Sequence, residues 1–291
     1  MKKVVIPMAG LGTRMLPATK VVPKELLPVA GKPVIQLIVE EAVGAGFSEI
    51  IFVTNSSKVS VESHFKTSSK LENKLKKQLK ISLLKEIKEI SSLKIKIINI
   101  EQKEPKGLGH AILSAKSLIS KEPFAVMLPD MVIESNHKGN NFALMKEHFE
   151  KTGKSSILLG KVRKSDVQNY GIAKFNKKSM KNIFFQLDDI IEKPSPKKAP
   201  SNLFVAGRYI FDNEILVFLD KEKPDTSGEI QLTGAVSKYL KSSKKLNGLL
   251  LEGNIYDCGN KLGYLIANLA YSFRDNITKK EVLKYLRKQI V

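Results

Sequence analysis

The sequence has one cysteine, no tryptophan and four histidines in 291 residues. A lone Cys258 cannot close an internal disulfide, and it cannot build a multi-cysteine zinc or iron–sulfur centre. His64, His110, His137 and His148 are scattered, with no HExxH or paired-ligand spacing, which argues against metal catalysis by a histidine cluster. No run approaches the ~18 apolar residues of a membrane span. The apolar stretch after Lys2-Lys3 breaks at Pro7, Gly10 and Gly12, too early for a secretory signal, so a cytoplasmic protein is expected.

Arginine is also scarce. Of 49 basic residues only Arg14, Arg163, Arg208, Arg274 and Arg287 are arginines, although the net charge is +20. Base readout and bidentate phosphate clamping favour arginine, so the lysine excess reads as solvated surface and not as a nucleic-acid interface. The remaining composition, 42% apolar and 27% charged, excludes wholesale disorder and collagen. The length allows one large domain or two modest ones.

Lys3 to Met8 is an apolar run that predicts a buried strand feeding a loop. Pro33 then opens a helix whose stripe is Ile35, Ile38, Val39, Ala42 and Val43, closed by Gly44 and Gly46. Glu49–Thr54 is the next strand, and strand–loop–helix–strand begins a doubly wound α/β sheet. Between 66 and 106, twelve lysines face five glutamates while Leu71, Leu75, Leu79, Leu83 and Ile87 recur every four residues. That predicts a long amphipathic helix or a helix pair, its leucines in the core or at a subunit contact. Further strands are expected at 94–100, 124–128, 156–162, 170–175, 189–192 and 204–211, with helices at 109–119, 230–240 and 262–273. Lys193–Pro200 carries three prolines and reads as a loop.

The densest signal is Ala9-Gly10-Leu11-Gly12-Thr13-Arg14-Met15-Leu16-Pro17, with Lys24-Glu25-Leu26-Leu27-Pro28 after it. Glycines after a strand let backbone N–H groups approach an anion, and Arg14 and Lys24 add charge. A Walker A loop would need Gly-Lys-Ser/Thr, and a dinucleotide fingerprint a third glycine where Met15 stands; neither is present. On physics alone a plain strand–turn–helix connection and a triphosphate cradle remain equally open.

This stretch resembles the signature of the sugar-1-phosphate nucleotidyltransferases. Supporting blocks span the chain: Lys106-Gly107-Leu108-Gly109-His110-Ala111, Leu128-Pro129-Asp130, Ile191-Glu192-Lys193-Pro194, Gly228-Glu229-Ile230-Gln231-Leu232-Thr233 and Asp257-Cys258-Gly259-Asn260. Together they are most similar to the bacterial branch that transfers a uridylyl group to glucose 1-phosphate. The resemblance implies a Rossmann-like, doubly wound, mixed and mostly parallel sheet with helices on both faces and a smaller sugar-binding extension. It implies one domain over 1–291, with a nucleotide half to about 135, a sugar half over about 136–275 and a C-terminal helix at 276–291. The implied reaction joins UTP and glucose 1-phosphate into UDP-glucose and pyrophosphate with Mg²⁺. Two polyanions must be neutralised and aligned, which suits a site of cations, carboxylates and glycines.

Roles carried over from the family follow. Ala9, Gly10, Gly12, Glu25, Gln102 and Gly107 would bind the nucleotide: Ala9 and Gly10 would meet the uracil edge through the backbone, Gln102 and Glu25 would also reach the base, and Gly107 would let the nucleoside lie close. Arg14 and Lys24 would hold the triphosphate. Asp130 would bind Mg²⁺, with Asp257 as second ligand. Glu192 and Lys193 would meet glucose and its phosphate, with Gly171, Val205 and Gly207 against the sugar. Plainer readings stand beside these: Asp130 as a turn residue, Glu192–Lys193 as a surface pair, Asp257 as a helix cap, His110 as packing and Cys258 as a small buried residue. The family implies a dimer or tetramer, and Leu283, Leu286 and Ile290 form one candidate contact stripe. The alternatives are the same chemistry with dTTP or another sugar phosphate, or a basic nucleic-acid-binding or nucleotide-sensing protein.

Overall fold

A computed structural model describes residues 1–55, 58–136, 140–180, 182–242 and 244–289. His137 and Ile290 lie outside the described residues. The strands of the first half are β1 (Lys3–Pro7), β2 (Pro28–Val29), β3 (Lys32–Pro33), β4 (Glu49–Thr54), β5 (Lys96–Glu101), β6 (Phe124–Met127) and β7 (Met131–Ser135). Those of the second are β8 (Ser155–Lys161), β9 (Gly171–Lys174), β10 (Phe184–Gln186), β11 (Asp189–Glu192), β12 (Leu203–Phe211), β13 (Leu246–Leu250) and β14 (Gly253–Asp257). The helices are α1 (Val34–Gly44), α2 (Val59–Ser63), α3 (Ser69–Lys77), α4 (Ile81–Ser91), α5 (Gly107–Ser114), α6 (Lys116–Ile119), α7 (Asn141–Thr152), α8 (Ile215–Asp220), α9 (Leu232–Lys241), α10 (Lys261–Ser272) and α11 (Asn276–Gln289).

The main sheet runs β10-β13-β8-β12-β6-β1-β4-β5, with β9 and β11 attached beside β12. It is mixed and mostly parallel along this row: β6, β1, β4 and β5 are parallel neighbours, and β12 inserts antiparallel between β6 and β8. Alternation puts Val5, Ile51 and Val126 on one face, against α5, α8 and α9. Val4, Ile6, Phe52 and Met127 face the other way, against α1 and α7. Each fully buried Val, Ile or Phe here contributes about 1.5–3 kcal/mol, which fixes the register of the sheet.

Parallel strands end at one edge. The carboxyl ends of β6, β1, β4 and β5 therefore deliver Asp130, the glycine turn, Asn55 and Gln102 to the same side of the sheet, where α/β folds bind ligands. A small antiparallel sheet completes that edge, pairing Met131 with Asp257 at its start.

The segment from 66 forms the helix pair, α3 and α4, before β5 begins, as one of the two readings has it. Other expectations need correction. Of the leucine stripe, Leu75 is buried whereas Leu79 is 81% exposed. Leu79 occupies the left-handed turn between α3 and α4, so the four-residue spacing does not continue on one helix. The 109–119 helix starts at Gly107 and breaks at Ala115 into α5 and α6. The 230–240 helix starts at Leu232, because Ile230 gives its N–H to Lys106 and accepts from Gly109 instead. β7, β13, β14 and α7 carry weak alternation and were not anticipated.

Asn140 caps α7, its side chain accepting from the Ala143 N–H at 2.6 Å and donating to the Glu41 carbonyl at 2.7 Å. Asn140→Ala is expected to lose about 1 kcal/mol and lower Tm by about 2–4 °C, with turnover unchanged, as a thermal melt and an activity assay would read.

Candidate active site

A cleft of about 840 Å³ opens at the carboxyl edge of the parallel strands. Its first wall is the turn after β1. Met8 still donates to Val53 as if the strand continued, and Gly12 then starts a one-turn 3-10 helix over Thr13–Met15. The buried Met15 side chain anchors this turn and leaves Arg14 toward the opening.

Lys24 opens a later short turn, Lys24–Leu26, and reaches Asp130 Oδ2 at 2.6 Å. Both side chains are 16% exposed. Burial alone would lower the Lys24 pKa, but the attraction of Asp130 and Glu25 outweighs it and raises the pKa above its ordinary value. Burial likewise opposes ionisation of Asp130, yet the charges of Lys24 and Arg14 hold its carboxyl below the usual range.

Asp130 is fixed from three sides. Its carbonyl accepts from the Cys258 N–H at 2.8 Å. Arg208, fully buried, donates to the Leu128 carbonyl at 3.4 Å and the Met131 carbonyl at 2.7 Å while forking onto Glu41 at 3.0 and 2.6 Å. The pairing of β7 with β14 then places Asp257 beside Asp130. A Cβ on residue 259 would stand 2.8 Å from Asp130 Oδ2, 2.9 Å from Asp257 Oδ1 and 3.2 Å from Arg14 Nη2. Only glycine leaves room where these three charged groups meet.

Asp257 is oriented by its own neighbours. Oδ1 accepts from the Gly259 N–H at 2.9 Å, and Oδ2 from the Tyr170 hydroxyl at 3.2 Å. Burial and the charge of Asp257 push the Tyr170 phenol up to about 12, so it remains a donor. Cys258 is also pushed up to about 12, by burial first, and stays an inert thiol.

Ala9, Gly10, Gln102 and Gly107 line the same cleft. Gln102 Nε2 lies 3.3 Å from the Gly107 carbonyl and 2.8 Å from His110 Nδ1. A carbonyl can only accept, so the Gln102 amide must turn its NH₂ there, and Oε1 is the end left to accept from another donor. Gly107 has φ near +89°, and a Cβ there would meet Glu229 Cβ at 2.8 Å.

The opposite wall is the β9–β11 ribbon, whose register pairs Gly171 with Glu192. Gly171, Glu192, Lys193 and Val205 all face the cleft. Lys193 has a left-handed backbone, φ 43°, held by its N–H donating to the Tyr170 carbonyl at 3.0 Å. Its ammonium lies 3.6 Å from Glu192 Oε1 and is largely exposed.

Three expected contacts lie elsewhere. Glu25, expected at the base, is buried behind the glycine turn with both oxygens on Lys58. Gly12 forms the turn's hinge, packed on the Lys24 stem instead of lining the cleft. Gly207 sits in a bulge of β12, its carbonyl accepting from the Leu128 N–H at 2.9 Å beneath the Leu128 side chain.

The sequence profile described as nucleotidyl transferase matches residues 3–273. The UTP–glucose-1-phosphate uridylyltransferase of Haemophilus ducreyi is 42% identical over 289 residues, 98% of each chain. The chain belongs to the nucleotidyl transferase family, among its UTP–glucose-1-phosphate uridylyltransferases. Solved structures agree. A UTP-bound UGPase from Acinetobacter baumannii is 37% identical, with a TM-score of 0.90 over 98% of both chains. A UDP-glucose pyrophosphorylase complexed with UDP-glucose is 38% identical, with a TM-score of 0.84 over 94% of this chain and 100% of that one.

Sequence reasoning missed Asn55, Lys58, Tyr170 and Arg208. Lys58 is one lysine among dozens, and Arg208 one residue of a nine-residue apolar strand. The only signal was a charged residue inside an otherwise buried run. Among the described residues no cluster of three or more His, Cys, Asp or Glu could hold a metal, and no helix is long and apolar enough to cross a membrane.

Proposed function

We propose that the chain makes UDP-glucose and pyrophosphate from UTP and glucose 1-phosphate. The observation that carries this is the meeting of Arg14, Lys24, Asp130 and Asp257 at one point of the cleft, between a glycine turn and the Glu192–Lys193 ribbon. A phosphate oxygen of glucose 1-phosphate attacks the α-phosphorus of UTP in line. The bond from that phosphorus to the bridging oxygen breaks, and pyrophosphate leaves with the electron pair. The attacking oxygen already carries charge, so no protein nucleophile or base is required.

Asp130 and Asp257 fit Mg²⁺, which takes one or two carboxylates and completes its shell with phosphate oxygens and water. Held there, the ion would offset charge on both phosphate groups. Lys24 orients Asp130, and Tyr170 orients Asp257. Arg14 faces the departing phosphates and Lys193 the attacking one, each a preformed charge that needs no reorganisation during the step. Arg14→Ala is expected to lower kcat about a hundred-fold, ~2.7 kcal/mol, with thermal stability unchanged.

Gln102 Oε1 suits the imide N–H of uracil, a donor that cytosine lacks. Gln102→Ala is expected to raise KM for UTP about tenfold, ~1.4 kcal/mol, and to narrow the preference for UTP over CTP in competition. The first 135 residues would carry the nucleotide, and later residues the sugar. Gly171, Glu192 and Val205 line that side, and the nearby buried Thr233 hydroxyl has no protein partner among the described residues. The reading includes a cytoplasmic homo-oligomer, a dimer or tetramer.

The test is a panel of UTP, dTTP and CTP against glucose, galactose and N-acetylglucosamine 1-phosphates, reading pyrophosphate with and without Mg²⁺. UTP with glucose 1-phosphate should be fastest and Mg²⁺-dependent. No pyrophosphate from any pair would overturn the proposal.

A further inference from the structure

Two side chains outside the proposed chemistry grip the glycine turn from behind. Lys58 is 6% exposed. Its ammonium donates to the Gly10 carbonyl at 2.9 Å, to both Glu25 oxygens at 2.9 Å, and to the Met8 carbonyl. Asn55 Nδ2 donates to the intervening Ala9 carbonyl at 2.9 Å. Three successive carbonyls are thereby fixed by the segment that follows β4.

A trans peptide unit is planar, so its N–H points opposite its C=O. Holding the carbonyls of Met8, Ala9 and Gly10 turns the N–H groups of Ala9, Gly10 and Leu11 away from Lys58 and Asn55. These three residues line the cleft. Among the described residues, none of the three N–H groups donates to another protein group. Successive N–H groups without a protein acceptor are donors left for a bound ligand.

A buried ammonium is costly to desolvate unless it is paired, and Glu25 supplies the pairing charge. The pair adds little net field. Its effect is geometric.

We infer that Lys58, together with Asn55, is a positioning residue that holds three backbone N–H groups of the glycine turn toward the bound nucleotide. The inference rests on the reading of UTP as substrate. It explains why Glu25 is buried behind the turn and not exposed to the base.

The experiment measures UTP binding by calorimetry, and kcat and both KM values, for the wild type, Lys58→Met, Lys58→Arg and Asn55→Ala. Lys58→Met should weaken UTP binding at least about tenfold and Asn55→Ala about threefold, with KM for glucose 1-phosphate within about twofold. Lys58→Arg should recover part of the loss, because it keeps the charge and the donors. If Lys58→Met does not fold by circular dichroism, Lys58→Arg and Asn55→Ala decide by the same comparison. Folded variants that bind UTP as the wild type does, or that lose both substrates equally, overturn the inference. A wild type that binds no UTP overturns the proposed function itself, and that result is visible before any variant is made.

Discussion

Asp130→Asn is expected to lower kcat about a thousand-fold, ~4 kcal/mol, with the fold intact. The substitution keeps shape but removes the charge that holds Lys24 at 2.6 Å and that would face the metal. Near-normal turnover would remove Asp130 from the chemistry. The same variant reports on acid stability. The folded-state pKa of Asp130 is depressed, so its contribution is fully present above the unfolded value near ~4 and is lost as pH falls through the folded value. Lys24 is raised, so its share is present below ~10.4 and is lost as pH rises through its folded value. Urea melts from pH 3 to 7 should show a flatter acid limb for Asp130→Asn than for the wild type.

Arg208→Met is expected to cost about 3–5 kcal/mol of unfolding free energy. Arg208 is fully buried, and Glu41 opposite it has a side chain only 9% exposed. Removing the guanidinium leaves that carboxylate buried without its partner and frees the Leu128 and Met131 carbonyls on either side of Asp130. Denaturant unfolding should show the loss, and Arg208→Met/Glu41→Met should recover much of it, since no orphaned charge remains. A loss below about 1 kcal/mol would mean that the fork adds nothing to the stability of this edge.

Where an apolar run was continuous, the sequence was enough. Glu49–Thr54 and 204–211 are strands close to their expected limits because their burial is continuous. Leu79 shows the opposite case. Its spacing continued a stripe, but a left-handed turn broke the helix, and no local pattern announced it. The candidate site was legible where charge and glycine cluster within one short segment, as at Arg14 and Lys24. It was illegible where one side chain acts through distant backbone. Arg208 and Lys58 act on carbonyls 77 and 48 residues away, and only the sheet order brings those groups together.

Asp257 lies between these cases. Its motif was visible, but its neighbourhood with Asp130 depends on the register of β7 against β14, two strands that the sequence did not announce. Gly259 owes its position to the same pairing, at the point where both carboxylates and Arg14 converge.

The most direct measurement is a crystal structure grown with UDP-glucose and Mg²⁺. Density for both phosphates is expected between Arg14 and Lys193, with the ion against Asp130 and Asp257 and the uracil beside Gln102. A cleft empty of product, or product bound away from Asp130, would contradict the convergence on which the proposed reaction depends.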